Sequence, residues 1–416
     1  MDFNTLRGII GIFLILGVAY LACSNKKSIN WRTVGGAFAI QVLLAALVLY
    51  SDTGRMVLEG MSSAVGNVID YSADGISFLF GGLGTDAMFA NGVGFVFAIR
   101  VLPVIVFFSS LIAVLYYLGI MDKIVKFLGG GLAKLLKTSD PESLSATANI
   151  FVGQTEAPLV VRPFLPSMTR SELFAVMVGG LASVAGAVLV GYAGMGVELK
   201  YLIAASFMAA PGGLLMAKFI MPETDTPKND IDDIPEDEHD AKPANVIDAA
   251  AEGASKGMML ALNVGAMLMA FVALIALLNG MIGGIGGWFG YEGLTLQTIL
   301  GYLFQPIAYM LGVPWGEAFQ AGSLLGQKVI VNEFVAYADF ITFKDSLSAG
   351  TQAIITFALC GFANLASIAI LLGGLGTLAP SRRSDIAQMG MKAVFAATLA
   401  NLMSAAIAGV FISLAG

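Results

Sequence analysis

The strongest constraint on this chain is its succession of long apolar runs. Eight stretches (6–23, 33–50, 92–120, 172–192, 201–220, 258–282, 349–372 and 389–414) meet or approach the length of a spanning helix, about 20 apolar residues. Charged residues make up only 12% of the sequence and glycine occurs 50 times, whereas soluble domains run near a quarter charged. The runs recur along the whole chain, so the reading is an all-α polytopic membrane protein and not a soluble domain with an anchor. The first run ends at Cys23, but Asp2, Tyr20 and the following Lys26, Lys27 and Arg32 favour a retained spanning helix over a cleaved or lipidated leader.

Two further apolar regions, 143–168 and 312–343, are interrupted by polar residues at mid-length. The first centres on NIFVGQTEAP at 149–158, with Gln154, Thr155 and Glu156 between two limbs of about half a bilayer each. Irregular backbone at membrane depth is tolerated only where it is buried in protein or lines a cavity. Both regions therefore read as re-entrant hairpins. Residues 54–80 repeat Leu58, Met61, Val65, Val68, Ser72 and Ile76 at helical spacing, with Glu59, Asp70 and Asp74 on another face. That pattern suits an interfacial amphipathic helix, or a short buried one.

Residues 222–256 carry Asp230, Asp232, Asp233, Glu236, Asp237, Glu238 and Asp240 and read as an acidic cytoplasmic linker. They supply much of the net charge of −7, which argues against a nucleic-acid partner. The only histidine, His239, lies there, and Cys23 and Cys360 are the only cysteines, so neither a disulfide framework nor a Cys/His metal site is expected. With both termini outside, 16 of the 22 lysines and arginines fall on inward segments and 4 on outward ones, Arg100 and Lys328 lying at membrane depth. This is a strong positive-inside bias.

The two halves share one plan. Glu156 precedes a glycine-broken helix, GGLASVAG at 179–186, and Glu333 precedes CGFANLAS at 360–367; 27 residues separate Glu156 from Ser183 and 31 separate Glu333 from Asn364. The hairpins open from opposite sides, as an inverted repeat requires. The expected division is a scaffold at 1–120, a first repeat at 121–221 (hairpin 143–168, broken helix 172–192, helix 201–220), the linker at 222–256, a scaffold helix at 257–290 and a second repeat at 291–416 (hairpin 312–343, broken helix 349–372, helix 389–414).

The polar residues at mid-membrane are Asn149 with Gln154, Thr155 and Glu156, then Ser183, Asn332 with Glu333, and Asn364 with Ser367. Intramembrane carboxylates are functional candidates by default. The plainer alternative pairs Glu156 and Glu333 with Lys328 or Arg100, and leaves Ser183 and Ser367 as small packing residues. Amides, hydroxyls and carboxylates without clustered Arg or Lys suit an uncharged, hydroxyl-rich solute and disfavour phosphates. Glu333 can accept two ribose-type hydroxyls, with Asn364 and Ser367 beside it. Gln154 and Thr155 can read an amide-like edge, with Val188 and Phe362 offering flat apolar contact. The oxygens of Asn149 and Ser183 and the carbonyls of Val152 and Val184 suit a hard cation.

The run GQKVIVNEFVAY at 326–337 resembles the signature of the concentrative nucleoside transporters, and GQTEAP at 153–158 and GFANLAS at 361–367 fit the same family. The resemblance covers nearly the whole chain. It implies a sodium-coupled nucleoside symporter, a homotrimer whose transport domain slides through the bilayer like an elevator. It also implies that Gln154, Thr155 and Glu156 bind the nucleobase beside Val188 and Phe362, that Glu333, Asn364 and Ser367 bind ribose, and that Asn149, Val152, Ser183 and Val184 bind sodium. Uridine, cytidine and adenosine are the expected substrates, and the inner membrane of a bacterial cell the expected location. Some bacterial relatives use protons; Asn149 together with Ser183 favours sodium. An intramembrane hydrolase lacks a base beside a nucleophile, and a channel does not explain two oppositely opening hairpins.

Overall fold

The computed structural model describes residues 3–85, 94–227, 243–291 and 293–415, and these are helical throughout, with no strand among them. The acidic run at 230–240 and the start of the third apolar stretch lie outside the described residues. The chain opens with α1 (Phe3–Ala22) and α2 (Trp31–Ala45), the latter capped by the Asn30 side chain and extended by a π-helical turn, Ala46–Tyr50. The amphipathic segment follows as α3 (Asp52–Asp70) and α4 (Ser72–Phe80), with Leu58, Ser72 and Ile76 buried and Glu59, Asp70 and Asp74 exposed.

The third stretch is less regular than its hydropathy suggests. A single turn, Phe97–Arg100, leads into α5 (Leu102–Tyr117), which carries Pro103 in its first turn. Gly119, at φ +70°, then turns the chain into a separate helix, α6 (Ile120–Leu136). A left-handed residue of this kind ends one helix and redirects the next. The sequence reading gave no element to α6, whose lysines interrupt its apolar pattern.

The first hairpin begins earlier than expected, at α7 (Asp140–Ala148), because Ser139 and Glu142 form a capping box. Its second limb is not an α-helix. Pro158, Pro163 and a non-helical Val161 restrict Ala157–Phe164 to 3₁₀ turns. The broken helix is α8 (Arg170–Ala182) and α9 (Gly186–Gly194), closed by α10 (Leu199–Ile220).

The helix expected at 257–290 differs most from expectation. Read as starting near 257, it runs from Val246 to Trp288 as one 43-residue helix, α11. The polar run VIDAAAEGASK was assigned to the linker for its charges, but it is rich in alanine, carries the Glu252–Lys256 ion pair and is capped by Asn245. Each of these features favours helix.

A second unassigned helix, α12 (Leu296–Met310), folds back on α13 (Trp315–Ile330) at 117°. With α14 (Glu333–Phe343), α13 makes the second hairpin, turning at Val331 and Asn332. The stretch read as a broken helix at 349–372 is two short helices, α15 (Ala349–Leu359) and α16 (Ser367–Gly373), before the long closing α17 (Arg383–Ala415). Among the described residues seven helices are long and apolar enough to cross a membrane, or eight if the bent α12–α13 pair counts as one.

Burial separates these elements. The apolar windows of α8–α9 and of α10 are 94% buried, against 17% for α5 and α11, which pack on each other at the periphery. At the base of the first hairpin, Lys218 Nζ lies 2.6 Å from Glu142 and 3.4 Å from Glu223, and donates to Ser171 Oγ at 3.0 Å. That buried cluster ties α7 to α8 and α10.

Candidate functional site

Each hairpin tip lies against the break of its own repeat. In the first, Gly186 N–H donates to the Phe151 carbonyl at 3.0 Å, and a Cβ on Gly186 would stand 2.7 Å from that oxygen. Only glycine allows this approach. Gly180 serves likewise, since a Cβ there would lie 2.9 Å from Gln154 Cβ. Asn149 ends α7, donating Nδ2 to the Ser145 carbonyl at 2.9 Å. Its Oδ1 is buried and has no hydrogen-bond partner among the described residues, and the same holds for Gln154 Oε1. Ser183 is extended (φ −115°, ψ 174°), donates Oγ to Gly179 and precedes a fully buried Val184. No backbone N–H from a described residue reaches the Val152 or Val184 carbonyl.

The second repeat assembles a tighter set. Glu333 opens α14, where the helix N-terminus favours a carboxylate, and is buried. Its Oε2 accepts from Asn364 Nδ2 at 3.0 Å and its Oε1 from Tyr192 Oη at 3.1 Å. Asn364 Oδ1 in turn accepts from the backbone N–H and Oγ of Ser367, at 3.0 and 3.1 Å. Leu365 N–H donates to the Val329 carbonyl at 3.3 Å, joining this break to its hairpin. The breaks also join each other: Phe362 N–H donates to the Ser183 carbonyl at 3.2 Å.

Glu333, Asn364 and Ser367 are thus brought into one hydrogen-bonded cluster, and Asn149, Gln154 and Ser183 gather around α8. Thr155 reaches the other repeat, with its methyl against Gly374. Val188 is buried on α9 and Phe362 half-buried beside the break. Glu156 departs from expectation. It is exposed at the tip, its carboxylate folded over Gly153, so only Glu333 of the two carboxylates is buried. Glu333 does not pair with Lys328 either. Lys328 Nζ donates instead to the Ala358 carbonyl at 2.7 Å and Asn401 Oδ1 at 2.6 Å.

Two residues of this network were missed from the sequence. Tyr192, within the first broken helix, supplies the second bond to Glu333, its ring centroid 4.6 Å from Phe334 and 4.5 Å from Tyr337. Asn401 on α17 donates Nδ2 to the Ala182 carbonyl at 2.6 Å and the Cys360 carbonyl at 3.2 Å. A lone amide within an apolar helix was the available signal.

Three family models match the chain: the Na+ dependent nucleoside transporter N-terminus over residues 10–83, nucleoside recognition (Gate) over 98–198, and the Na+ dependent nucleoside transporter C-terminus over 201–409. The nucleoside permease NupC of Helicobacter pylori is 52% identical, over 100% of this chain and 99% of that protein. The chain belongs to the sodium-dependent nucleoside transporter family. An uncharacterized transporter of Bacillus subtilis, YutK, is 56% identical over 98% of this chain and its own full length. A structure of CNTnw in an inward-facing substrate-bound state superposes with a TM-score of 0.95 at 60% identity, covering 99% of each chain. A variant of CNTnw in an outward-facing state gives 0.95 at 58% identity, covering 100% of this chain and 99% of that one. The family consists of transporters, not enzymes, which removes the hydrolase alternative.

Proposed function

We propose that this chain is a sodium-coupled symporter that carries nucleosides such as uridine, cytidine and adenosine inward across the inner membrane. The Glu333–Asn364–Ser367 cluster is the observation that carries the reading. It is a buried set whose carboxylate forms no ion pair among the described residues, suited to the hydroxyls of a ribose. When ribose enters, its hydroxyls take over Glu333 oxygens now held by Asn364 and Tyr192. Gln154, Thr155 and Glu156 then meet the nucleobase, with Val188 and Phe362 beside it. The exposure of Glu156 and the unpartnered Gln154 Oε1 fit tip groups that complete their contacts on a ligand.

Sodium fits the first repeat. Asn149 Oδ1 is a buried oxygen with no donor, and it stands near the C-terminal end of α8, where a half-helix favours a cation. Ser183 Oγ and the Val152 and Val184 carbonyls complete an all-oxygen set for a hard ion. The inverted repeat and the division into a buried bundle and a peripheral α5–α11 pair support an elevator, with the re-entrant hairpins moving as part of the buried bundle. The exposed apolar face of α11, including Met269, Val272 and Leu277, suits lipid and the neighbouring subunits of a homotrimer. Charge placement supports both termini on the outer side.

Uptake of labelled uridine into proteoliposomes tests the assignment. Glu333→Gln and Asn364→Ala are each expected to abolish uptake while leaving the protein folded. Uptake by either variant at the unmodified rate overturns the ribose assignment.

A further inference from the structure

The two tip-to-break hydrogen bonds set a register between the repeats. Phe151 accepts from Gly186 in the first and Val329 from Leu365 in the second. Matching these pairs places Asn149 opposite Gln327, Ile150 opposite Lys328, and Gly179 opposite Ala358. In the first repeat, Asn149 Nδ2 lies 3.5 Å from where a Cβ on Gly179 would stand, and its Oδ1 has no partner. In the second, Lys328 stands one position beyond the counterpart of Asn149. Its Nζ donates to the carbonyl of Ala358, the counterpart of Gly179. The two repeats therefore present the same place, the last turn of the half-helix before the break, to an open oxygen in one and an ammonium in the other.

The surroundings of that ammonium share the features of a cation site: burial, neutral oxygen acceptors and the ends of half-helices. Lys328 is 2% exposed, and no carboxylate of a described residue lies within 4.0 Å of its Nζ. Its two acceptors are neutral oxygens, the Ala358 carbonyl and Asn401 Oδ1. The Asn401 amide holds the carbonyls of Ala182 and Cys360, so the C-terminal ends of α8 and α15 converge on one side chain. A Cβ on Gly361 would stand 2.3 Å from Asn401 Oδ1, so this backbone too is shaped around it. Half-helix C-termini carry partial negative charge and take cations.

We propose that the Lys328 ammonium is a tethered cation at the second-repeat counterpart of the first-repeat cation site. One repeat holds a fixed positive charge and the other exchanges a free one. The consequence is a single exchangeable cation for each subunit. The first-repeat half of this statement rests on the sodium reading above; the Lys328 half does not.

The test compares variants of the full-length purified protein by thermal unfolding in detergent. Lys328→Met keeps the side-chain volume without the charge, and Lys328→Arg keeps the charge with a different shape. A tethered cation predicts a Tm loss of about 10 °C in Lys328→Met, with Lys328→Arg closer to the unmodified protein. The reverse order overturns the proposal. Lys328→Ala opens the site, and ethylammonium chloride is expected to restore its Tm while leaving the unmodified protein unaffected. Sodium is expected to stabilise the unmodified protein along a one-site curve and Lys328→Ala along a steeper one. Lys328→Ala that ignores both cations contradicts the proposal. Should neither Lys328→Met nor Lys328→Arg be recoverable, Lys328→Ala prepared with and without ethylammonium decides: recovery only with it supports the tethered cation, and no recovery overturns it. An unmodified protein that ignores sodium, with Lys328→Ala still rescued by ethylammonium, removes the sodium reading and leaves Lys328 in its role.

Discussion

The backbone N–H of Phe362 donates to the carbonyl of Ser183 at 3.2 Å, so the broken helices of the two repeats are joined at their breaks. With the two tip-to-break bonds at Gly186 and Leu365, this makes a continuous chain from one hairpin through both breaks to the other. On the proposed site assignment, a ligand at one tip would be mechanically connected to an ion at the other, the arrangement that positive coupling between two binding events requires.

Gly186 is the tightest link in that chain. Gly186→Ala places a methyl 2.7 Å from the Phe151 carbonyl and must push the first tip away from its break. Initial rates of uridine uptake are expected to fall more than about tenfold, since small misplacements of binding groups cost this much or more. An unchanged rate would show that the tip does not need this contact.

Tyr192 reaches Glu333 from the opposite repeat. Tyr192→Phe removes a hydrogen bond to a buried carboxylate, worth about 1.5–3 kcal/mol when the acceptor is charged. The expected outcome is a KM for uridine altered about tenfold, with expression intact. Measured KM and maximal rate across a panel of ribo- and deoxyribonucleosides check it.

The base of the first hairpin depends on the Lys218–Glu142 pair. Breaking a buried pair from one side leaves an uncompensated charge, at a cost of about 3–5 kcal/mol. Lys218→Met alone is expected to lower Tm by about 10 °C, and the double variant Lys218→Met with Glu142→Gln by less. Thermal unfolding of the two variants side by side gives the comparison.

Much of this was legible in the sequence. The polar clusters at Glu333, Asn364 and Ser367 stood out because a polar side chain in an apolar run has few cheap explanations, and glycines at 179, 180 and 186 marked the first break. What escaped has physical reasons. α6 is interrupted by four charged residues and α12 is only 15 residues long, so neither registers as a span, yet both pack on the hairpins. The linker boundary was misplaced because charge was read as solvation where alanine and an i,i+4 pair were building helix. Tyr192 was invisible because its hydroxyl acts on a residue 141 positions away. Glu156 looked buried because the limbs on either side of the tip are apolar, but the tip projects its side chain out of them.

Asn149 is expected to set the sodium requirement and not the transport ceiling. Asn149→Ala removes the buried unpartnered oxygen and should raise the half-saturating sodium concentration about tenfold, with maximal uptake nearly unchanged at high sodium. A sodium titration of uridine uptake in both proteins checks this.

The most direct measurement is uridine accumulation in proteoliposomes under an imposed inward sodium gradient at equal pH on both sides. The account predicts uphill accumulation that collapses when the sodium gradient is dissipated. Accumulation that ignores sodium and follows an imposed proton gradient would contradict it.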